Sequence, residues 1–256
     1  MEEPLQYRIH PKENLYFTIK VILSIPIYGL LFYGLYALFT TDKSLVAFIP
    51  LIIYAILILI YVFLAKGILV GHIKGNAVRL SEKQFPEVYQ ILVKQCEQLD
   101  MEIPPVYVMQ HGGVLNAFAT RFIGKNYVLI YSEIFDMALE GGVDELSFVM
   151  AHELGHIKRN HIIKRFWLFP SLFIPFIGSA YSRACEYTCD NIGDALSPDG
   201  SKAGLLVLAS GKTCHKSVNV QEYLDNANTE TGFWKWFAEK VSSHPNLPKR
   251  IENISR

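Results

Sequence analysis

The chain has 256 residues, with 24 basic and 24 acidic side chains, so its formal net charge is zero. That balance excludes a nucleic-acid-binding protein that relies on bulk positive charge, and we expect no nucleic-acid partner. Four cysteines are too few for a disulfide-dense secreted scaffold. Hydrophobic residues make up 51% of the chain, and a mean hydropathy of +0.22 is high for a soluble domain.

The hydrophobic residues are concentrated near the N-terminus. Residues 21–39 and 44–65 contain no charged side chain, and each run is long enough to cross a hydrocarbon core of about 30 Å as a helix. The connection between them is so short that the two helices must lie antiparallel. The pattern predicts a transmembrane hairpin over residues 21–65, preceded by a tail over residues 1–20. The alternative is a pair of helices buried in a soluble core, which the length of the runs disfavours.

Basic residues indicate how such a hairpin is oriented. They flank its two outer ends more often than its turn: Arg8, Lys12 and Lys20 precede it, Lys66, Lys74 and Arg79 follow it, and Lys43 lies in the turn. The positive-inside rule therefore places both ends in the cytoplasm. We expect an integral protein of the inner or plasma membrane, in contact with the lipid bilayer, whose cytoplasmic domain over residues 66–256 keeps its cysteines reduced.

The residues after the hairpin have the composition of a globular domain. Helical periodicity predicts a helix over residues 81–99, with Ser81 as its N-cap, and another over residues 144–165. Short β-prone runs between turn signals predict a small, mostly antiparallel sheet. These runs are residues 106–109, 114–120 and 127–131. The domain is therefore expected to be α+β.

The second predicted helix contains the sequence His152-Glu153-Leu154-Gly155-His156, an H-E-x-x-H pattern. On a helix, His152 and His156 lie one turn apart on the same face, where both imidazoles can bind one Zn²⁺. Glu153 does not point at the metal with them and could act as a general base on a nearby water molecule. The alternative, a helix with two unrelated histidines, is disfavoured by this helical context.

Zinc in a catalytic site needs a third protein ligand. Longer zinc motifs place a third histidine ligand after the H-E-x-x-H pattern, and His161 is one residue away from that position. We therefore expect His161 to cap the helix end or pack against it. Further along, Glu186 and Asp190 are four residues apart and would share one face of a helix. One of them could bind zinc while the other accepts a hydrogen bond from a ligand imidazole. Glu222 or Glu230 could supply the carboxylate instead.

Four short segments occur together in one order along the chain. They are Asn116-Ala117-Phe118-Ala119-Thr120, the H-E-x-x-H pattern, an E-x-x-x-D element from Glu186 to Asp190, and His244-Pro245 followed by Arg250-Ile251. With these segments, residues 80–251 resemble peptidase family M48, the membrane-associated gluzincins. The chain is most similar to the HtpX-like protease branch and more distantly similar to CAAX prenyl proteases.

The resemblance implies a fold and a metal centre. The fold is a zincin-like, mainly helical metalloprotease domain with a small β-sheet, preceded by a two-helix transmembrane hairpin. The zinc ligands implied by the matching positions are His152, His156 and Glu186. Glu153 would be the catalytic base, and Asp190 would orient a ligand histidine.

The resemblance also implies how substrate is bound. Asn116, Ala117 and Phe118 would lie on an edge strand that pairs with the extended backbone of a protein or peptide substrate. His244, and with it Arg250, would stabilise the oxyanion of the tetrahedral intermediate.

The function implied is that of a membrane-anchored zinc endopeptidase for unfolded or membrane proteins, as in protein quality control. One alternative is a specialised protease that processes prenylated or signalling peptides. Another is a non-catalytic, zinc-stabilised membrane adaptor, which the intact catalytic positions disfavour. The sequence leaves the oligomeric state open.

Two apolar segments of the domain have open interpretations. Residues 166–181 contain no charged side chain. They are too few for the two membrane spans that close relatives carry in this interval. They would form a loop that dips into the membrane or covers the site, or an apolar connection within the core. The aromatic run at residues 233–237 could touch a membrane interface or a substrate, or belong to the core.

Cys185 and Cys189 lie on either side of Glu186. Thiols beside a zinc site can bind the metal or oxidise, but cysteine commonly packs as a small hydrophobic residue. We therefore expect both to be buried side chains without a role at the metal.

Overall fold

The fold is mainly helical with one small sheet, as seen in a computed structural model that describes residues 5–40, 45–112 and 116–255. The helices in these ranges are α1 (Pro11–Thr40), α2 (Leu45–Asn76), α3 (Pro86–Gln98), α4 (Ser132–Leu139), α5 (Val143–Lys158), α6 (His161–Trp167), α7 (Ile177–Leu196), α8 (Pro198–Cys214), α9 (Val220–Thr229), α10 (Phe233–Val241) and α11 (Leu247–Ile254). The strands are β1 (Val78–Arg79), β2 (Val106–Met109), β3 (Ala117–Phe122) and β4 (Lys125–Tyr131). The predicted α+β class is confirmed.

The two long N-terminal helices expose most of their apolar side chains. Both are long and apolar enough to cross a membrane, over Pro11–Ala37 in α1 and Ile52–Asn76 in α2. Leu30 is 71% exposed and Tyr61 is 73% exposed. These helices are therefore not buried core helices, and they are consistent with the predicted transmembrane hairpin. The predicted turn, which contains Lys43, lies outside the described residues.

The first turns of α1 differ from the rest of this helix because two of their charged side chains are buried. Glu13 and Lys20 are each 1% exposed, since this part of α1 packs along α7. The Lys20 ammonium lies 4.8 Å from the centre of the Tyr181 ring, a cation–π contact. Upstream of the helix, Arg8 donates a hydrogen bond to the backbone oxygen of Asn253 at 2.9 Å. Residues 5–20 are thus joined to the globular domain by specific contacts.

The sheet has the strand order β1-β2-β4-β3. β1 pairs antiparallel with β2, β2 pairs parallel with β4, and β3 pairs antiparallel with β4. Within β3, Phe118 lies opposite Leu129 and Ala119 opposite Val128. β3 therefore forms one edge of the sheet among the described residues. The start of the second predicted strand, at residue 114, lies outside the described residues.

The prediction of a helix over residues 81–99 is wrong at its N-terminus. Ser81 and Gln84 exchange two backbone hydrogen bonds, of 3.1 and 2.9 Å, which close a turn instead of starting a helix. Phe85 adopts a left-handed conformation with φ 62°, and α3 then begins at Pro86. Proline suits the first turn of a helix because its missing N–H would be unpaired there. Ser81 is therefore not the N-cap.

The helix predicted over residues 144–165 is two helices. Asn160 adopts a left-handed conformation with φ 56°, which ends α5 and precedes α6. Asparagine tolerates this conformation better than most residues. The break leaves His161 beside His156, with 3.1 Å between their Nδ1 atoms.

The core is built around α5, which packs against α7 and α8. Two glycines allow α7 to approach α5 closely. A Cβ atom at Gly155 would lie 3.3 Å from the Cys189 sulfur, and one at Gly193 would lie 2.7 Å from the Phe148 ring. This close packing brings the helix with the two histidines next to the helix with Glu186.

We predict that Gly193→Ala destabilises the protein by about 1–3 kcal/mol, because the added methyl group overpacks the α5–α7 interface. Gly75→Ala is a matched control, since a Cβ at that position in α2 meets no atom within 4 Å. Thermal unfolding of the detergent-solubilised variants measures both effects. Equal melting temperatures for the two variants would contradict the packing argument.

Candidate functional site

Helices α5 and α7 bring His152, His156 and Glu186 together. The Nε2 atom of His152 lies 3.3 Å from one carboxylate oxygen of Glu186, and the Nε2 atom of His156 lies 3.4 Å from the other. His152 and Glu186 are buried. Two imidazole nitrogens and a carboxylate form a donor set that fits a divalent metal such as zinc. All three residues were singled out from the sequence.

Asp190 lies behind His152 and holds its ring. Its Oδ1 atom accepts the Nδ1–H of His152 at 3.0 Å, which leaves Nε2 facing Glu186. Arg250 of α11 donates Nε–H to Oδ2 at 2.8 Å and Nη2–H to Oδ1 at 2.7 Å. The buried negative charge of Asp190 is thus paired with a buried guanidinium.

These contacts shift the ionisation of the site. Burial opposes protonation of His152, but hydrogen bonds and charge from Asp190 and Glu186 outweigh it and raise its pKa to about 10. Burial likewise opposes ionisation of Glu186, yet the two histidines hold its pKa well below the usual range. Asp190 also has a lowered pKa, because Arg250 outweighs the effect of burial. Without a metal ion, His152 is therefore protonated at neutral pH.

His156 has a different set of neighbours on its Nδ1 side. His161 approaches with its own Nδ1 at 3.1 Å, and the Nε2 of His161 lies 3.3 Å from the Glu13 carboxylate. Arg159 donates to the same oxygen of Glu13 from Nη2 at 2.8 Å and from Nε at 3.2 Å. Burial lowers the pKa of His161 to about 4, so its ring is neutral at pH 7.

No sequence pattern identifies Glu13 as a residue of this site. It is a single acidic residue at the start of an apolar helix, far along the chain from the H-E-x-x-H pattern. Only its burial and its contacts in the folded chain place it near the site.

Cys189 is a second candidate for the third metal donor. A donor atom of each of His152, His156 and Cys189 lies within 4.8 Å of the other two. The sulfur, however, lies 3.6 Å from Nδ1 of His161, whereas the Glu186 carboxylate lies 3.3 and 3.4 Å from the Nε2 atoms of the two histidines. Burial also raises the pKa of this thiol well above its usual value. Glu186 is therefore the better third donor.

The two other carboxylates considered from the sequence lie elsewhere. Glu222 is in the first turn of α9, where its backbone N–H donates to the Asn219 side chain, and Glu230 follows the same helix. Both are exposed, and neither lines the cavities that contain His152. Of the three candidates, only Glu186 lies at the histidines.

A cleft opens beside the histidines. Its lining includes Glu153 and four consecutive residues of β3, which are Ala117, Phe118, Ala119 and Thr120. Successive side chains of a strand point to opposite faces, so four lining residues in a row mean that the cleft runs along the edge of β3. A smaller cavity next to it is lined by Asn116 and Arg250, among others.

His244 lies at the rim of this cleft. Its side chain is 62% exposed, and its Nε2 is 3.6 Å from a carboxylate oxygen of Glu186. The C-terminal chain therefore folds back over His152, His156 and Glu186. Arg250, the other C-terminal residue singled out, directs both of its close hydrogen bonds to Asp190.

Comparisons with known proteins agree with this geometry. The sequence model of Peptidase family M48 matches residues 82–174 and 168–256. The plastoglobule-localized metallopeptidase 48 of Arabidopsis thaliana chloroplasts is 27% identical over 193 residues, which cover 67% of this chain and 52% of that protein. A protease HtpX homolog of Helicobacter acinonychis is 24% identical over 216 residues, which cover 69% of this chain and 68% of the homolog. The chain thus spans about half of the length of the first relative.

We predict that one Zn²⁺ displaces one proton from His152 when it binds at pH 8, in addition to any proton lost from a zinc-bound water molecule. A histidine with an ordinary pKa near 6.5 would be almost fully deprotonated at this pH, whereas His152, with a pKa of about 10, still holds its proton. Affinity should accordingly rise as pH rises toward 10. Calorimetric titration in buffers of different ionisation enthalpy counts the protons, and release of none at pH 8 would contradict the assignment.

Proposed function

Because the chain belongs to peptidase family M48, we propose that it is a membrane-anchored zinc endopeptidase that hydrolyses peptide bonds of unfolded or membrane proteins. The observation that carries this proposal is the convergence of His152, His156 and Glu186 at a cleft that also contains Glu153. The edge of β3 along the same cleft supports a peptide substrate. The names of the HtpX homologs support a role in protein quality control.

We propose that His152, His156 and Glu186 hold the zinc ion. When bound, zinc would supply Lewis acidity, lowering the pKa of water toward about 7 and polarising a peptide carbonyl. Asp190 keeps Nε2 of His152 directed at the ion, and Arg250 keeps Asp190 ionised and in place. These roles are supported by the contacts among the five side chains, of which all but His156 are buried.

Glu153 is proposed as the residue that moves the proton. It follows the first ligand histidine and is 7% exposed, yet it lines the cleft. Its carboxylate would take a proton from the attacking water and deliver it to the nitrogen of the departing amine. A carboxylate that faces a cleft without binding the metal suits this transfer.

The remaining roles concern the substrate. Asn116, Ala117 and Phe118 would hydrogen-bond an extended peptide as an added strand beside β3. Because these hydrogen bonds are made to the peptide backbone, they favour broad specificity. His244 would donate a hydrogen bond to the oxyanion from the rim of the cleft. We propose that Arg250 assists from the adjoining cavity, mainly by fixing the position of Asp190.

The proposed membrane location is supported by exposed aromatic side chains near the hairpin. Trp167 is the last residue of α6. Its backbone oxygen accepts a hydrogen bond from the Tyr28 hydroxyl of α1 at 2.7 Å, and its side chain is 64% exposed. In α10, Trp234 is 75% exposed. Aromatic residues of this kind favour the membrane–water interface. We propose that the domain faces the cytoplasm with these aromatics at the lipid surface.

We predict that Glu153→Gln lowers the rate of cleavage of an unfolded protein such as casein by about 10²–10⁴-fold or more, while zinc stays bound. The amide keeps the shape of the side chain but cannot accept the proton. Zinc content and casein cleavage are measured on the same detergent-solubilised preparations. Full activity in this variant would contradict the proposal. If the zinc-loaded parent also fails to cleave casein, a narrow processing enzyme or an adaptor is indicated instead.

We predict that His244→Ala lowers kcat by about 10²-fold, because a donor to the developing oxyanion is lost. KM should change little, since the side chain acts on the transition state more than on the bound substrate. His72→Ala is a control, because that histidine is exposed on α2 and lines neither of the two cavities that contain His152. Unchanged turnover in His244→Ala would remove His244 from the mechanism.

A further inference from the structure

We infer that Glu13, in the first turn of the helix α1, is a positioning residue of the metal centre that acts through His161 on the ligand His156. The inference rests on the proposed zinc site but not on its proteolytic activity. Three side chains form a continuous line: Glu13 is 1% exposed, His161 is 3% exposed, and His156 is partly buried. The contacts along this line are 3.3 Å from Glu13 to His161 and 3.1 Å from His161 to His156.

The position of the hydrogen on the His156 ring determines whether this histidine can bind a metal. Its Nε2 can bind a metal only through a free lone pair, so the ring must carry its hydrogen on Nδ1. That Nδ1–H points at Nδ1 of His161, which must therefore accept and carry no hydrogen. A neutral His161 then has its hydrogen on Nε2, the atom that faces Glu13. The carboxylate accepts this hydrogen bond, and the three groups form one consistent chain of donors and acceptors.

The reverse arrangement would disable the ligand. If His161 carried its hydrogen on Nδ1, it would donate to His156, whose own hydrogen would move to Nε2 and occupy the metal-binding position. An ionised carboxylate can only accept hydrogen bonds, so Glu13 disfavours this tautomer of His161. Asp190 acts in the same way on His152, but directly. Each ligand histidine thus has its tautomer fixed by a buried carboxylate.

Arg159 pairs with the same carboxylate of Glu13. It donates two hydrogen bonds, at 2.8 and 3.2 Å, to the same carboxylate oxygen that faces His161. This pair also fixes the start of α1 to the end of α5. The helix is therefore part of the metal centre as well as an anchor, and a fragment beginning at residue 66 would lack the group that orients His156.

The experiment compares Glu13→Gln, His161→Phe and the double variant in the full, detergent-solubilised chain. Zinc dissociation constants are measured by competition with a chromophoric chelator. We expect Glu13→Gln to weaken zinc binding about 10–100-fold, as for other residues that orient a metal ligand. His161→Phe should weaken it similarly, and the double variant should be no weaker than His161→Phe alone. Additive losses in the double variant would overturn the inference.

Arg159→Met separates orientation of His156 from docking of α1. This variant removes the ion pair but leaves the contact between Glu13 and His161. We expect it to lower the melting temperature while weakening zinc binding less than Glu13→Gln does. If it weakens zinc binding as much as Glu13→Gln, docking alone explains the effect and the inference fails.

A measurement on the unmodified protein avoids any variant that does not fold. Nitrogen-15 NMR of histidine-labelled, zinc-loaded protein reports which ring nitrogen carries the hydrogen. We expect His161 to have its hydrogen on Nε2 and His156 on Nδ1, and a hydrogen on Nδ1 of His161 would overturn the inference. Neither this result nor zinc affinity depends on proteolysis, so a failure of the proposed function and a failure of this inference are distinguishable.

Discussion

The arrangement of the site depends on the contacts of one buried carboxylate, that of Asp190. It joins three helices, because it lies on α7, accepts a hydrogen bond from His152 of α5 and pairs with Arg250 of α11. A fully buried charge is costly unless it is paired and hydrogen-bonded, so these partners must be in place together. The ion pair therefore couples the ordering of the C-terminal chain to the orientation of a metal ligand. It also explains why the chain returns to the cleft after α10, with His244 at the rim.

The N-terminal helix contributes a second coupling, from the opposite side of the site. Glu13 and Lys20 are buried against the domain, whereas the apolar residues that follow are exposed. One helix thus changes within a few turns from an element packed on the domain to one with exposed apolar side chains. The metal-binding helices are consequently held between a C-terminal ion pair and an N-terminal one, Arg159 with Glu13. The proposed membrane anchor and the proposed metal centre therefore share α1 instead of being separate modules.

Sequence reasoning recovered the parts of this arrangement that depend on local spacing. The i, i+4 spacing of His152 and His156 and of Glu186 and Asp190 fixes which side chains share a helix face, so these residues could be named without coordinates. The turn at Ser81 was missed because a serine before an amphipathic run resembles an N-cap. Glu13 was missed because its position follows from the packing of α1 on α7, which no short motif encodes.

The most direct test of the account is X-ray absorption at the zinc edge of the zinc-loaded protein. The account predicts only nitrogen and oxygen neighbours at about 2.0–2.2 Å, from two imidazoles, the Glu186 carboxylate and a solvent oxygen. Glu186→Gln should then lose the metal or change this shell. A sulfur neighbour at about 2.3 Å would instead place Cys189 on the metal and contradict the assignment of Glu186 as the third ligand.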